Sequence, residues 1–235
     1  DPRYGPLLMD WLQIRYSAPT NLPANSPAMR GWRHSESDYL EGNLVASSAR
    51  ALGNTGGEEA VLALIARWQG ETNARLQGAI SEALGEAGDL RALPLLLAAL
   101  EREEGEQRSS LIQSVGKVGD TNALRVLLPL LDDPQKELRA AAASALGTIG
   151  SRTSAPELLR VAEQDSEADV RVQACVALGA IGDARAQEVL LSVIPHLGNN
   201  RDGAIWALGH VGDSNSIPLL RGLLDDPVRE TRFAA

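Results

Sequence analysis

One signature constrains this chain more than anything else in it. An aliphatic residue and a glycine are followed three positions later by a second glycine, and the pattern occurs six times: Leu52-Gly53-Asn54-Thr55-Gly56, Leu84-Gly85-Glu86-Ala87-Gly88, Val115-Gly116-Lys117-Val118-Gly119, Leu146-Gly147-Thr148-Ile149-Gly150, Leu178-Gly179-Ala180-Ile181-Gly182 and Leu208-Gly209-His210-Val211-Gly212. The first glycines stand 32, 31, 31, 32 and 30 residues apart. A period of that length is the mark of one supersecondary unit stacked in copies.

Within each period lie two amphipathic segments, for example Ala92–Glu101 and Glu106–Val118, whose apolar residues recur at three and four positions, so each unit is expected to be a helical hairpin. The second glycine of the signature is expected to end the second helix in the left-handed conformation, which costs little without a Cβ. Asp89, Asp120, Asp183 and Asp213 follow that glycine and can cap the next turn. Pro94, Pro156 and Pro218 fall near the start of a first helix, where a missing N–H is harmless.

Composition agrees. Only 3% of residues are aromatic, too few for a large conventional core but enough for thin layers of alanine and branched aliphatics. The net charge of −9, with Lys117 and Lys136 the only lysines, argues against a surface that tracks nucleic-acid phosphates. A single cysteine, Cys175, excludes an intrachain disulfide and a cysteine-based zinc cage. It aligns with Ala49, Ala143 and Ile205 and is expected to be a small packing residue, and Trp68, aligned with Leu100, Leu131 and Leu224, is expected in the core. No apolar run approaches the roughly 20 residues that span a bilayer, and no signal-peptide pattern opens the chain, so a cytoplasmic location is the expectation. The chain opens on Asp1 and closes at Phe233-Ala234-Ala235 inside a repeat, as expected of part of a longer polypeptide.

Eight residues before the first glycine stand Arg108, Arg139, Arg171, Arg201 and, in a seventh unit, Arg232, with Val45 and Gln77 in the two earliest slots. An arginine repeated in register beside a repeated aspartate can form a hydrogen-bonded ladder between units.

The run Leu138-Arg139-Ala140-Ala141-Ala142-Ala143-Ser144-Ala145-Leu146-Gly147-Thr148-Ile149-Gly150 resembles the HEAT repeat of the phycobilin-lyase type, and the resemblance covers about residues 41–235. It implies an all-α, right-handed α-α superhelix of about seven helical hairpins, with the last repeat truncated. Similar repeats occur in bilin lyases of cyanobacterial antennae, in phycobilisome-degradation factors and in many bacterial scaffold proteins. In this class of solenoid the second helices line the concave side.

A binding surface should appear where the exposed positions depart from the shared pattern. The residues seven and three before the first glycine and one after it lie four apart, hence on one face of each second helix. Along the array they read Ala46/Arg50/Asn54, Gly78/Glu82/Glu86, Ser109/Gln113/Lys117, Ala140/Ser144/Thr148, Val172/Val176/Ala180 and Asp202/Trp206/His210, with Phe233 from the seventh unit. The face turns from polar to apolar, and Val172, Val176, Trp206, His210 and Phe233 are its candidate partner-binding residues.

Residues 1–40 break the rhythm. Pro6–Leu12 resembles a first helix, and Ser17–Leu40 is an insertion holding Pro19, Pro23, Pro27 and then Arg30-Gly31-Trp32-Arg33-His34. Arg30, Trp32 and Arg33 could grip an acidic peptide or a carboxylate-bearing planar ligand; a capping segment for the open end of the array is the other reading.

No HExxH, Walker loop, dinucleotide fingerprint or GxSxG occurs, and His34, His196 and His210 are scattered. Neither catalytic residues nor a metal site is therefore expected. Two functions follow: a non-catalytic scaffold that binds a protein partner along the concave face without a cofactor, and a bilin-handling lyase, chaperone or degradation factor whose groove accepts a tetrapyrrole or its protein carrier.

Overall fold

A computed structural model describes residues 46–54, 57–71, 73–103, 107–197 and 201–224. Among them the chain is helical, with no strand, and it is an all-α HEAT-type solenoid. After a helical stretch over 46–54 come α1 (Glu58–Gln69), α2 (Ala74–Ala87), α3 (Leu93–Arg102), α4 (Gln107–Val118), α5 (Leu124–Leu127), α6 (Lys136–Ile149), α7 (Ala155–Gln164), α8 (Ala168–Ile181), α9 (Ala186–Val193), α10 (Asp202–Val211) and α11 (Ile217–Leu223). Two compact units divide within α3, between Ala99 and Leu100.

In the first unit α1 packs on α2 and closes over Val61, Leu64, Ile80 and Leu84; Trp68, at 7% exposure, is core as expected. Gly53 lies against the backbone of Ala83, where a side chain would collide with Ala83 Cα at 2.9 Å. In the second unit α4, α6, α8 and α10 form one layer of neighbours, and α5, α7 and α9 pair with α6, α8 and α10. The layer packs closely because its signature glycines have no side chain. A methyl group built on Gly116, Gly147 or Gly179 would stand 2.7, 2.7 or 2.6 Å from the Cα of Ala145, Ala177 or Ala207.

The caps follow the sequence. Asp89, Asp120, Asp183 and Asp213 each accept the backbone N–H two residues on and start the next short 3₁₀ turn or helix. Two departures are local. Gly88, Gly150 and Gly182 end their helices at φ 63°, 71° and 68°, but Gly119 and Gly212 do not. At those two the N–H folds back on Val115 O (2.6 Å) and Leu208 O (2.7 Å), so the glycine supplies room for a close backbone rather than a left-handed turn. Two first helices also tighten into 3₁₀ turns, Leu128–Asp132 and Ile194–His196, where Pro129 and Pro195 remove an α-helical N–H donor.

The arginine ladder is present, with aspartates at the bend between the two helices of a unit. Arg139 donates from Nε to Asp165 Oδ2 (2.7 Å) and from Nη2 to Asp165 Oδ1 (2.9 Å), while its Nη1 donates to the carbonyls of Asp133 (3.0 Å) and Pro134 (3.3 Å). One layer earlier Arg108 pairs with Asp133 at 3.4 Å. Gln77, in the same slot of the first unit, donates from Nε2 to the carbonyl of Glu71 six residues back, the separation Arg139 spans to Asp133.

Candidate binding face

The three residues chosen on each second helix do share an outward face. Gln113, Lys117, Thr148, Ala180, Trp206 and His210 are exposed, and Ser109, Ala140, Ser144, Val172, Val176 and Asp202 are half-buried. The reason is geometric: the opposite side of each helix carries the residues that fill the core, such as Leu146 and Ala142 on α6 or Leu178 and Ala174 on α8.

On α8 and α10 this face becomes a built apolar surface. Val172 and Val176 reach α10 at Gly203, where an added methyl group would stand 2.6 Å from Val176 Cγ2 and 3.3 Å from Val172 Cγ1. One turn further along α10, the Trp206 ring leans back over α8, and its Cζ3 would lie 3.2 Å from a methyl group on Gly179. Trp206 remains 44% exposed. His210, one turn on, sits with its ring centroid 4.0 Å from that of Trp206 at an interplanar angle of 39°. Its Nδ1 is 2.9 Å from the Trp206 carbonyl oxygen, which can only accept, so Nδ1 carries the proton in that bond. The indole and the imidazole therefore lie ring beside ring, while the two valines pack toward α10 at Gly203. Sequence reasoning found these residues, and Gly179 as part of the repeat signature, but missed Gly203, whose lack of a side chain lets the valines approach; the available signal was a glycine inside a helix, a costly choice unless close packing needs it.

Phe233, Arg30, Trp32 and Arg33 lie outside the described residues. So does Arg232 of the ladder. His196 is exposed on the 3₁₀ turn after α9. Among the described residues no group of three or more His, Cys, Asp or Glu is arranged to hold a metal ion. Cys175 is fully buried in α8, and burial pushes its thiol up to about 12, which leaves almost no thiolate at neutral pH. A cleft of about 390 Å³ runs beside the ladder, lined by Asp133, Arg139, Arg160, Gln164 and Asp165 among others. Its charges are already matched, Arg139 with Asp165 and Arg160 with Asp132 (2.8 Å). No helix among the described residues is long and apolar enough to cross a membrane.

Comparison with known proteins places the architecture in a family. The HEAT repeats family matches four overlapping stretches, residues 41–116, 63–135, 97–171 and 124–196, and the PBS lyase HEAT-like repeat matches residues 201–226. The chain belongs to the HEAT-repeat family. Among solved structures it is similar to the complex of CpcE and CpcF of phycocyanin lyase from Nostoc sp. PCC7120, at 19% identity and a TM-score of 0.53, over 94% of this chain and 81% of that one. Human deoxyhypusine hydroxylase in complex with glycerol is also similar, at 17% identity and a TM-score of 0.40, over 99% of this chain and 93% of that one. No curated protein matches.

Proposed function

We propose that this protein is a HEAT-repeat scaffold that binds a protein partner on the face formed by Val172, Val176, Trp206 and His210. The observation that carries the reading is Trp206, 44% exposed yet held in place by Gly179 and His210. An indole fixed in this way loses little rotamer freedom on binding and offers a large apolar area, which is what an interface anchor needs. The basic and aromatic loop residues Arg30, Trp32 and Arg33, with Phe233, are proposed as further contacts. A pull-down from the native source, read by mass spectrometry and repeated with Trp206→Ala, tests the proposal. A partner retained equally by the folded variant would reject it.

A second reading has its own support. The residues that match the PBS lyase HEAT-like repeat, 201–226, include Trp206 and His210, and one solved structure of similar fold is a phycocyanin lyase complex. On this reading the face accepts a tetrapyrrole or its protein carrier, in a lyase, a chaperone or a degradation factor. Titration with phycocyanobilin separates the two: a stoichiometric change in its absorbance at micromolar protein favours bilin handling, and an unchanged spectrum favours the scaffold.

A further inference from the structure

The ladder is incomplete at Arg171. Its Nη1 donates to the carbonyls of Asp165 (2.8 Å) and Ser166 (3.2 Å), six and five residues back, as Arg139 Nη1 does to Asp133 and Pro134. Those two bonds fix the guanidinium in the posture of Arg139. In Arg139 the opposite edge, Nε and Nη2, then grips Asp165, the residue that ends the first helix of the next unit. For Arg171 the residue that ends the first helix of the next unit is Leu197, an apolar side chain at 4% exposure.

Among the described residues Nε and Nη2 of Arg171 consequently make no hydrogen bond or ion pair, and neither is sealed from solvent. Nearby acids do not fill the gap. Asp165 is held by Arg139, and Glu167 is paired with Lys136 at 3.6 Å.

We propose that the open edge of Arg171 binds a carboxylate carried by another molecule, in the place the ladder leaves vacant. A guanidinium offers two parallel N–H groups that match the two carboxylate oxygens, and here the fork is already ordered by backbone bonds, so little side-chain entropy remains to be lost. The carboxylate belongs either to a small free acid or to an Asp or Glu side chain. The site does not depend on Trp206 being an anchor, since it rests on a different side chain and a different interaction.

The test is NMR of the arginine Nε–H groups in the full chain at low salt, with Arg171 assigned by the signal lost in Arg171→Lys. Acetate, a capped tripeptide with a central Glu and its Gln counterpart are the three probes, with sodium chloride as the ionic control. The Arg171 signal is expected to move saturably with the two carboxylates and not with the Gln peptide, while the Arg139 signal stays still because its edge is occupied. A Glu peptide that binds more tightly than acetate assigns the site to a polypeptide side chain, and the reverse order assigns it to small free acids. Arg171→Gln and Arg171→Lys, each checked for a parental melting curve, should weaken the better probe by about threefold or more, in the range of a partly exposed ion pair. The proposal is overturned if Arg171 and Arg139 move alike, if chloride reproduces the shift, or if neither signal responds to a carboxylate.

Discussion

Arg139 joins two layers of the solenoid through Asp165: its Nε and Nη2 hold the two oxygens of that carboxylate at 2.7 and 2.9 Å, while its Nη1 fastens the bend that precedes its own helix. Both side chains are largely withdrawn from water, at 13% and 7% exposure. Removing one partner leaves the other half-buried and uncompensated. Arg139→Ala should therefore cost about 2–4 kcal/mol in chemical denaturation, and Arg160→Ala, whose pair with Asp132 is exposed, about 0–1.

The same pair sets a pH dependence. Burial alone would raise the Asp165 carboxyl, but the Arg139 hydrogen bonds outweigh it, helped by the Glu167 backbone N–H, and hold it below its usual value of 3.8. Asp89 is held at about 2 by the Arg91 side chain. A carboxylate depressed in the folded state contributes its full stability above its unfolded value and loses it as the pH falls through the folded one. The parent should accordingly lose stability below about pH 4. Asp165→Asn should be less stable than the parent at pH 7, and the difference should shrink steadily as the pH falls toward 2. A difference that stays constant with pH would show that the Asp165 charge contributes nothing.

Gly147 and Ser144 lie one turn apart on α6 and should respond by very different amounts. Any side chain at Gly147 meets Ala177 Cα at 2.7 Å, a contact with backbone that cannot swing aside, whereas Ser144 belongs to the outward face. Gly147→Val should cost about 1–3 kcal/mol or more, and Ser144→Ala should stay within about 0.5. Equal midpoints for the two variants would contradict the packing.

Gly203 offers a way to disturb the face without unfolding the array. Alanine there gains roughly 1 kcal/mol of helix propensity but drives a methyl group to 2.6 Å from Val176 Cγ2, which must turn away on a stiff β-branched side chain. The two effects nearly cancel. Gly203→Ala should melt within a few degrees of the parent and still bind a partner more weakly.

Trp206→Ala should weaken a protein partner by about 2 kcal/mol or more, chiefly through faster dissociation, and equally at low and high salt. Arg30→Ala combined with Arg33→Ala should matter mainly at low salt, because rim charges act through long-range attraction that salt screens. Binding left intact by a folded Trp206→Ala protein would remove the apolar face from the interface.

The sequence by itself determined the repeat, the hairpin, the capping aspartates and which side of each second helix faces outward. All of these are local or periodic: an aliphatic residue beside a glycine recurs in all six copies, an aspartate before a helical turn in four, and apolar residues three and four apart run through each, so the copies leave one consistent register. Tertiary structure decided the rest. The ladder's carboxylates are Asp133 and Asp165 because the arginine side chain reaches the bend of the neighbouring layer, 25 and 26 residues away. Trp206 is exposed and yet lies against a neighbouring helix because Gly179 there makes room for it, with His210 beside it. Contacts between layers bring together residues about 30 apart, and a period shows only that such layers meet, not which atoms touch.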